Sequence, residues 1–64
     1  MKVNSKRIRV LMAEMRIGTY ELAEMAGVTP ATICRVLRVG SCTGKTVGKI
    51  ATALEVPVAD IVED

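Results

Sequence analysis

Apolar residues recur at helical spacing along almost the whole 64-residue chain. Ile8, Leu11, Met12 and Met15 fall at i, i+3, i+4 and i+7, and Val47, Ile50, Ala51 and Leu54 repeat the pattern. No segment alternates with period two, so the pattern predicts helices and no strands. One local device recurs at each helix start: an apolar residue ahead of the N-cap is matched by another five positions later, in a hydrophobic staple. Val3/Ile8, Ile17/Leu22, Val28/Ile33, Cys42/Val47 and Val56/Ile61 are so spaced. The cap positions between them are Asn4, Gly18, Thr29, Thr43 and Pro57. Asn and Thr offer an oxygen to the orphan N–H groups of a first turn, whereas Pro57 cannot cap through its side chain. Gly27 and Gly40 are natural stops, because glycine takes positive φ without a Cβ clash. The pattern therefore predicts an all-α fold of five helices, over about 4–16, 18–26, 29–38, 43–54 and 57–62, in one compact domain spanning 1–64. The expected core is Ile8, Leu11, Met12, Met15, Leu22, Ala23, Ala26, Val28, Ile33, Val36, Leu37, Val47, Ile50, Leu54 and Ile61.

The segment TYELAEMAGVTPATICRVLR, residues 19–38, has more specific features. Two short helices are joined by a turn at Gly27-Val28-Thr29. Ala23, a small residue facing the second helix, lets the two cross closely. Gly27 supplies the positive φ of the tight turn. Thr29 followed by Pro30 is an N-cap and then proline at the first helical position. Ala, Gly and Ile at these offsets, with a cap and a proline between, make a helix-turn-helix signature.

On these residues the chain resembles the Cro/repressor type of helix-turn-helix domain, the XRE family. IRVLMAEMRIGTYELAEMAGVTPATI is similar to that family's first three helices, and KIATALEVPVADIVE to its last two. The resemblance implies a five-helix, lambda-repressor-like domain that binds a double-stranded DNA operator, often as a homodimer, in a transcriptional regulator, here expected to be a repressor. Several positions depart from the family's pattern. Thr19 replaces a common glutamine, Val39 stands where a glycine follows the recognition helix, and Glu55 replaces a glycine after the fourth helix. A buried Arg–Glu pair common in the family is replaced by Met12 and Leu37, both apolar. That joint change is coherent, since packed hydrophobes often substitute for a buried ion pair without loss. ATICRVL also resembles the recognition helix of lac-repressor-type headpieces, but those lack an equivalent first helix and continue into a hinge helix.

Composition narrows the function further. A single aromatic, Tyr20, argues against a base-stacking platform; the absence of histidine and the presence of only two cysteines exclude a zinc finger and His-based catalysis. No enzyme activity, cofactor, metal or small-molecule ligand is expected. GSCTGKT, residues 40–46, imitates a phosphate-binding loop but is one residue short and lacks a preceding strand, so Thr43 is expected to cap a helix there. With no apolar run long enough for a membrane span or signal peptide, a cytoplasmic location and reduced Cys34 and Cys42 are expected. The net charge of +2 is unevenly spread. Residues 1–49 hold all nine Lys and Arg against Glu14, Glu21 and Glu24, a balance of +6, and residues 50–64 hold four acids and no base, −4.

The resemblance places helix 29–38 in the major groove. Its expected exposed residues are Pro30, Ala31, Thr32, Cys34, Arg35 and Arg38. Arg35 is the strongest base reader, through bidentate bonds to guanine; Ala31 can meet a thymine methyl, Thr32 a base or phosphate, and Pro30 and Cys34 close apolar contact. Phosphate contacts are expected from Thr19, Thr29, Arg38 and Lys45, with Lys6 and Arg9 as weaker candidates. Val58 and Val62 are candidate dimer contacts, with packing inside one monomer as the alternative. A helix-turn-helix module that binds only protein, of antirepressor or antitoxin type, is the rival reading.

Overall fold

Four α-helices and one short turn of 3₁₀ helix account for the regular structure in the computed structural model, which describes residues 1–63. Helix α1 (Ser5–Met15) starts at Asn4, whose side-chain oxygen accepts the Arg7 N–H at 3.0 Å. Helix α2 (Thr19–Ala26) starts at Gly18, which has no side chain to offer; instead the Glu21 carboxylate reaches back to accept the Gly18 N–H at 2.8 Å. Helices α3 (Pro30–Val39) and α4 (Gly44–Ala53) start at Thr29 and Thr43, which accept the N–H of Thr32 and Thr46 respectively. Gly27 at φ 72° and Gly40 at φ 76° end α2 and α3 in the left-handed conformation. The glycine stop after α3 therefore lies one residue beyond its place in the resembled family, and the helix simply runs on through Val39.

The expected fifth helix is corrected to a single 3₁₀ turn, Val58–Asp60. Pro57 makes no side-chain cap bond. The backbone that would continue the helix is engaged elsewhere: Ile61 O accepts the Asn4 N–H at 2.7 Å, and the Glu63 N–H is donated to Lys2 O at 3.0 Å. On its other edge the N-terminal segment meets the α3–α4 loop. Val3 N–H bonds Gly40 O at 2.9 Å, and Met1 and Cys42 exchange bonds at 2.7 and 3.0 Å. The result is two isolated antiparallel bridges, Lys2–Ser41 and Val3–Val62, although no strand is formed among the described residues. Residues 1–4 thus form a strap between the loop after α3 and the end of the chain. Three or four residues are too few to show a period-two pattern, so the sequence carried no strand signal there.

Helix α2 packs on both α3 and α4, α1 on α3, and the 3₁₀ turn on α4. Ile8, Leu22, Ile33, Val36, Val47, Ile50 and Ile61 are almost wholly shielded from water. Each such side chain contributes roughly 1.5–3 kcal/mol of apolar burial. Met15, Val28 and Leu37, expected in the core, are only half-buried at its margin, where they still pack against it. Val3, Ala51 and Ala53 are buried as well. Met12 lies in the core and Leu37 packs against it, so the positions that hold an ion pair in the resembled family are apolar and joined to one hydrophobic cluster. No side-chain polar atom is buried without a partner among the described residues.

Candidate nucleic-acid interface

Helix α3 divides cleanly into two faces. Ile33 and Val36 point inward, with Leu37 at the margin, and against them Ala23 of α2 allows the close helix crossing. The opposite stripe, at i, i+3, i+4 and i+7, is Ala31, Cys34, Arg35 and Arg38, all exposed. None of the described residues buries this stripe. Its apolar half is small and its charged half is cationic, with no acid anywhere on α3. A surface of this kind can enter a groove deeply, offer guanidinium forks to paired acceptors and bring positive charge to phosphates.

Two residues expected on that exposed face are corrected: Pro30 and Thr32 are half-buried. Pro30 is the first helical residue, tucked behind its cap. Thr32 is drawn back onto Thr29, with the two hydroxyl oxygens 2.9 Å apart and the Thr32 N–H also bonded to the Thr29 oxygen at 3.2 Å. Thr29 itself is exposed.

The expected phosphate-contacting residues lie on three helix starts and one helix end. Thr19 opens α2 and is half-buried; Thr29 caps α3; Lys45 is exposed in the first turn of α4; Arg38 is exposed in the last turn of α3. Lys6 and Arg9 are exposed on α1. The amide groups at a helix start suit an anion, although at α2 the Glu21 carboxylate already holds the Gly18 N–H. Sequence reasoning gave no role to Tyr20, which stands beside Thr19 and is 78 % exposed, the largest exposed side chain on α2. Its signal was its position: a lone aromatic in the first turn of an amphipathic helix, on the side opposite Leu22.

The loop that leads from α3 into α4 is the one that imitates a phosphate-binding loop. It is a capped helix start held by the strap: Thr43 accepts the Thr46 N–H, and the Met1 side chain lies over Gly44, where a Cβ would come within 3.4 Å of its sulfur. Both cysteines are free thiols. Burial pushes the Cys42 thiol up, and the nearby N-terminal ammonium pulls it partly back. Cys34 is exposed on the α3 stripe. Of the two candidate dimer residues, Val58 is exposed on the 3₁₀ turn, whereas Val62 is half-buried, packs against the core and is bridged to Val3. No helix among the described residues is long and apolar enough to cross a membrane.

A family model described as the Cro/C1-type HTH DNA-binding domain matches residues 7–64. No curated protein and no solved structure matches the chain.

Proposed function

Since the chain belongs to the Cro/C1-type helix-turn-helix DNA-binding domains, we propose that it is a sequence-specific regulator of transcription, a repressor that acts in the cytoplasm on a double-stranded operator. The reading rests on one observation: the uncovered Ala31–Cys34–Arg35–Arg38 stripe, backed by a buried face that fixes it rigidly on α2. In this reading α3 lies in the major groove. Arg35 bonds the two acceptors of a guanine, worth about 1–3 kcal/mol of discrimination. Ala31 meets a thymine methyl, Cys34 permits close approach, and Pro30 packs at the groove edge. Thr19, Thr29, Arg38 and Lys45 hold the backbone and set the register. A short, small-residue reading face yields modest affinity for one copy, so two copies on half-sites about 34 Å apart complete the reading. Val58 is the better placed of the two dimer candidates because it is exposed; Val62 already serves its own monomer.

Selection of bound sites from random duplexes tests the proposal. Wild type is expected to return a two-fold motif, and Arg35→Ala to lose one guanine position while keeping the rest. A motif unchanged by Arg35→Ala removes that assignment. Binding to mixed duplex with a log K against log salt slope near zero removes the DNA reading altogether and leaves the protein-binding module.

A further inference from the structure

The Thr29–Thr32 pair carries an inference that deepens the proposed DNA reading and rests on it. A hydroxyl has one proton to donate and two lone pairs to accept. Thr29 Oγ1 already accepts the Thr32 N–H at 3.2 Å, and the two hydroxyl oxygens are 2.9 Å apart, so one hydroxyl proton is spent inside the pair. Either oxygen can be the donor in that bond. The pair therefore has one proton, not two, to offer outward.

Which residue keeps that proton decides what Thr32 can read. If Thr32 donates to Thr29, both Thr29 lone pairs are filled and Thr29 donates outward, while Thr32 presents lone pairs only. If Thr29 donates to Thr32, Thr32 keeps a proton and Thr29 has none to give. A phosphate oxygen only accepts, and Thr29 is the exposed member of the pair, at the rim of the reading face. The geometry points to Thr32 as a specificity-determining residue locked as an acceptor when Thr29 donates to a phosphate. As an acceptor it selects an exocyclic amino group in the major groove, adenine N6 or cytosine N4, and disfavours guanine and thymine, which offer O6, N7 or O4 there. Thr43 and Thr46 have the same spacing at the start of α4, with hydroxyls 3.1 Å apart, but there Thr43 is the donor and the choice is closed.

The test is site selection with wild type, Thr32→Val, Thr32→Ser, Thr29→Ala and Thr29→Asn, each checked for helix content by circular dichroism. Wild type is expected to favour A or C over G and T at one half-site position by roughly three- to tenfold, the range of one neutral hydrogen bond. Thr32→Val flattens that position alone, and Thr32→Ser preserves it. Thr29→Ala releases the Thr32 proton and admits G or T there. Thr29→Asn, whose carbonyl oxygen still accepts from Thr32 while its amide donates outward, keeps the preference and carries the comparison if Thr29→Ala fails to fold. The proposal is overturned if Thr32→Val flattens no position, or flattens one that favours G or T. In either case a salt slope clearly different from zero and a motif altered by Arg35→Ala leave the DNA reading standing, and a flat salt slope removes that reading instead.

Discussion

Among the described residues, Arg16 at φ 59° and Glu55 at φ 60° hold a backbone conformation that residues with a Cβ seldom adopt. Glu55 stands where the resembled family has glycine, so the substitution is visible in the sequence, but its strain becomes evident only from the backbone. Glu55→Gly is expected to raise stability by about 0.5–1 kcal/mol, because relief of left-handed strain outweighs the entropy glycine adds to the unfolded chain. A thermal melt with an unmoved or lowered Tm would show that Glu55 bears no strain. Met12→Arg is expected to act in the opposite sense. It strands a charge in the core beside apolar Leu37, at a cost of about 3–5 kcal/mol, which is most of the stability of a domain this small. Urea titration checks this, and a midpoint equal to wild type would place residue 12 outside the core. The two thiols also differ. Cys34 is exposed, while burial raises the Cys42 thiol and leaves less thiolate at a given pH. Iodoacetamide is expected to label Cys34 well before Cys42, as read by mass spectrometry. Bound operator duplex should slow Cys34 labelling if that residue sits in the groove.

Among the elements, what could be read in advance was what is local. Asn4, Thr29 and Thr43 announced three helix starts because a cap needs only the residues beside it. Gly27 and Gly40 announced two ends for the same reason. The exposed stripe of α3 followed from helical periodicity once those ends were known. Most of the features that could not be read depend on residues far apart in the chain; the Thr29–Thr32 pair is local but turns on a side-chain rotamer that periodicity does not specify. Val56 and Ile61 have the staple spacing, yet only a 3₁₀ turn forms, because residues 61–63 are drawn into pairing with residues 2–4. Thr32 has the helical position of a base reader, yet its hydroxyl folds back on Thr29. Val3 was visible as half of a staple, but its burial comes from the strap rather than from α1. Val3→Ala should therefore cost about 2 kcal/mol, from the loss of two buried methyl groups. A cost near zero in denaturant titration would mean that the strap contributes nothing to stability.

At the scale of the whole molecule, the net charge of +2 resolves into surfaces. Arg35, Arg38 and Lys45 stand exposed around α3 and the start of α4, whereas Arg7 is turned toward the acidic end of the chain, 3.6 Å from Asp60. That ion pair is exposed on both sides and adds little to stability. Its effect is to subtract one cation from those available to a polyanion. The salt dependence of binding should therefore be modest, with a log–log slope of roughly two to four per monomer by the counterion-release relation. A slope of about eight would mean that all nine Lys and Arg contact DNA. The bridge between Val3 and Val62 has a kinetic consequence. It joins residues 59 positions apart, so forming it closes a loop of nearly the whole chain, the least favourable contact to make early in folding. The helix pairs can dock first, and the strap should lock in after the folding barrier has been crossed. In stopped-flow experiments Val3→Ala should then leave the refolding rate close to wild type and speed unfolding by roughly 30-fold, so the strap acts as a late latch that governs how long the folded state lasts.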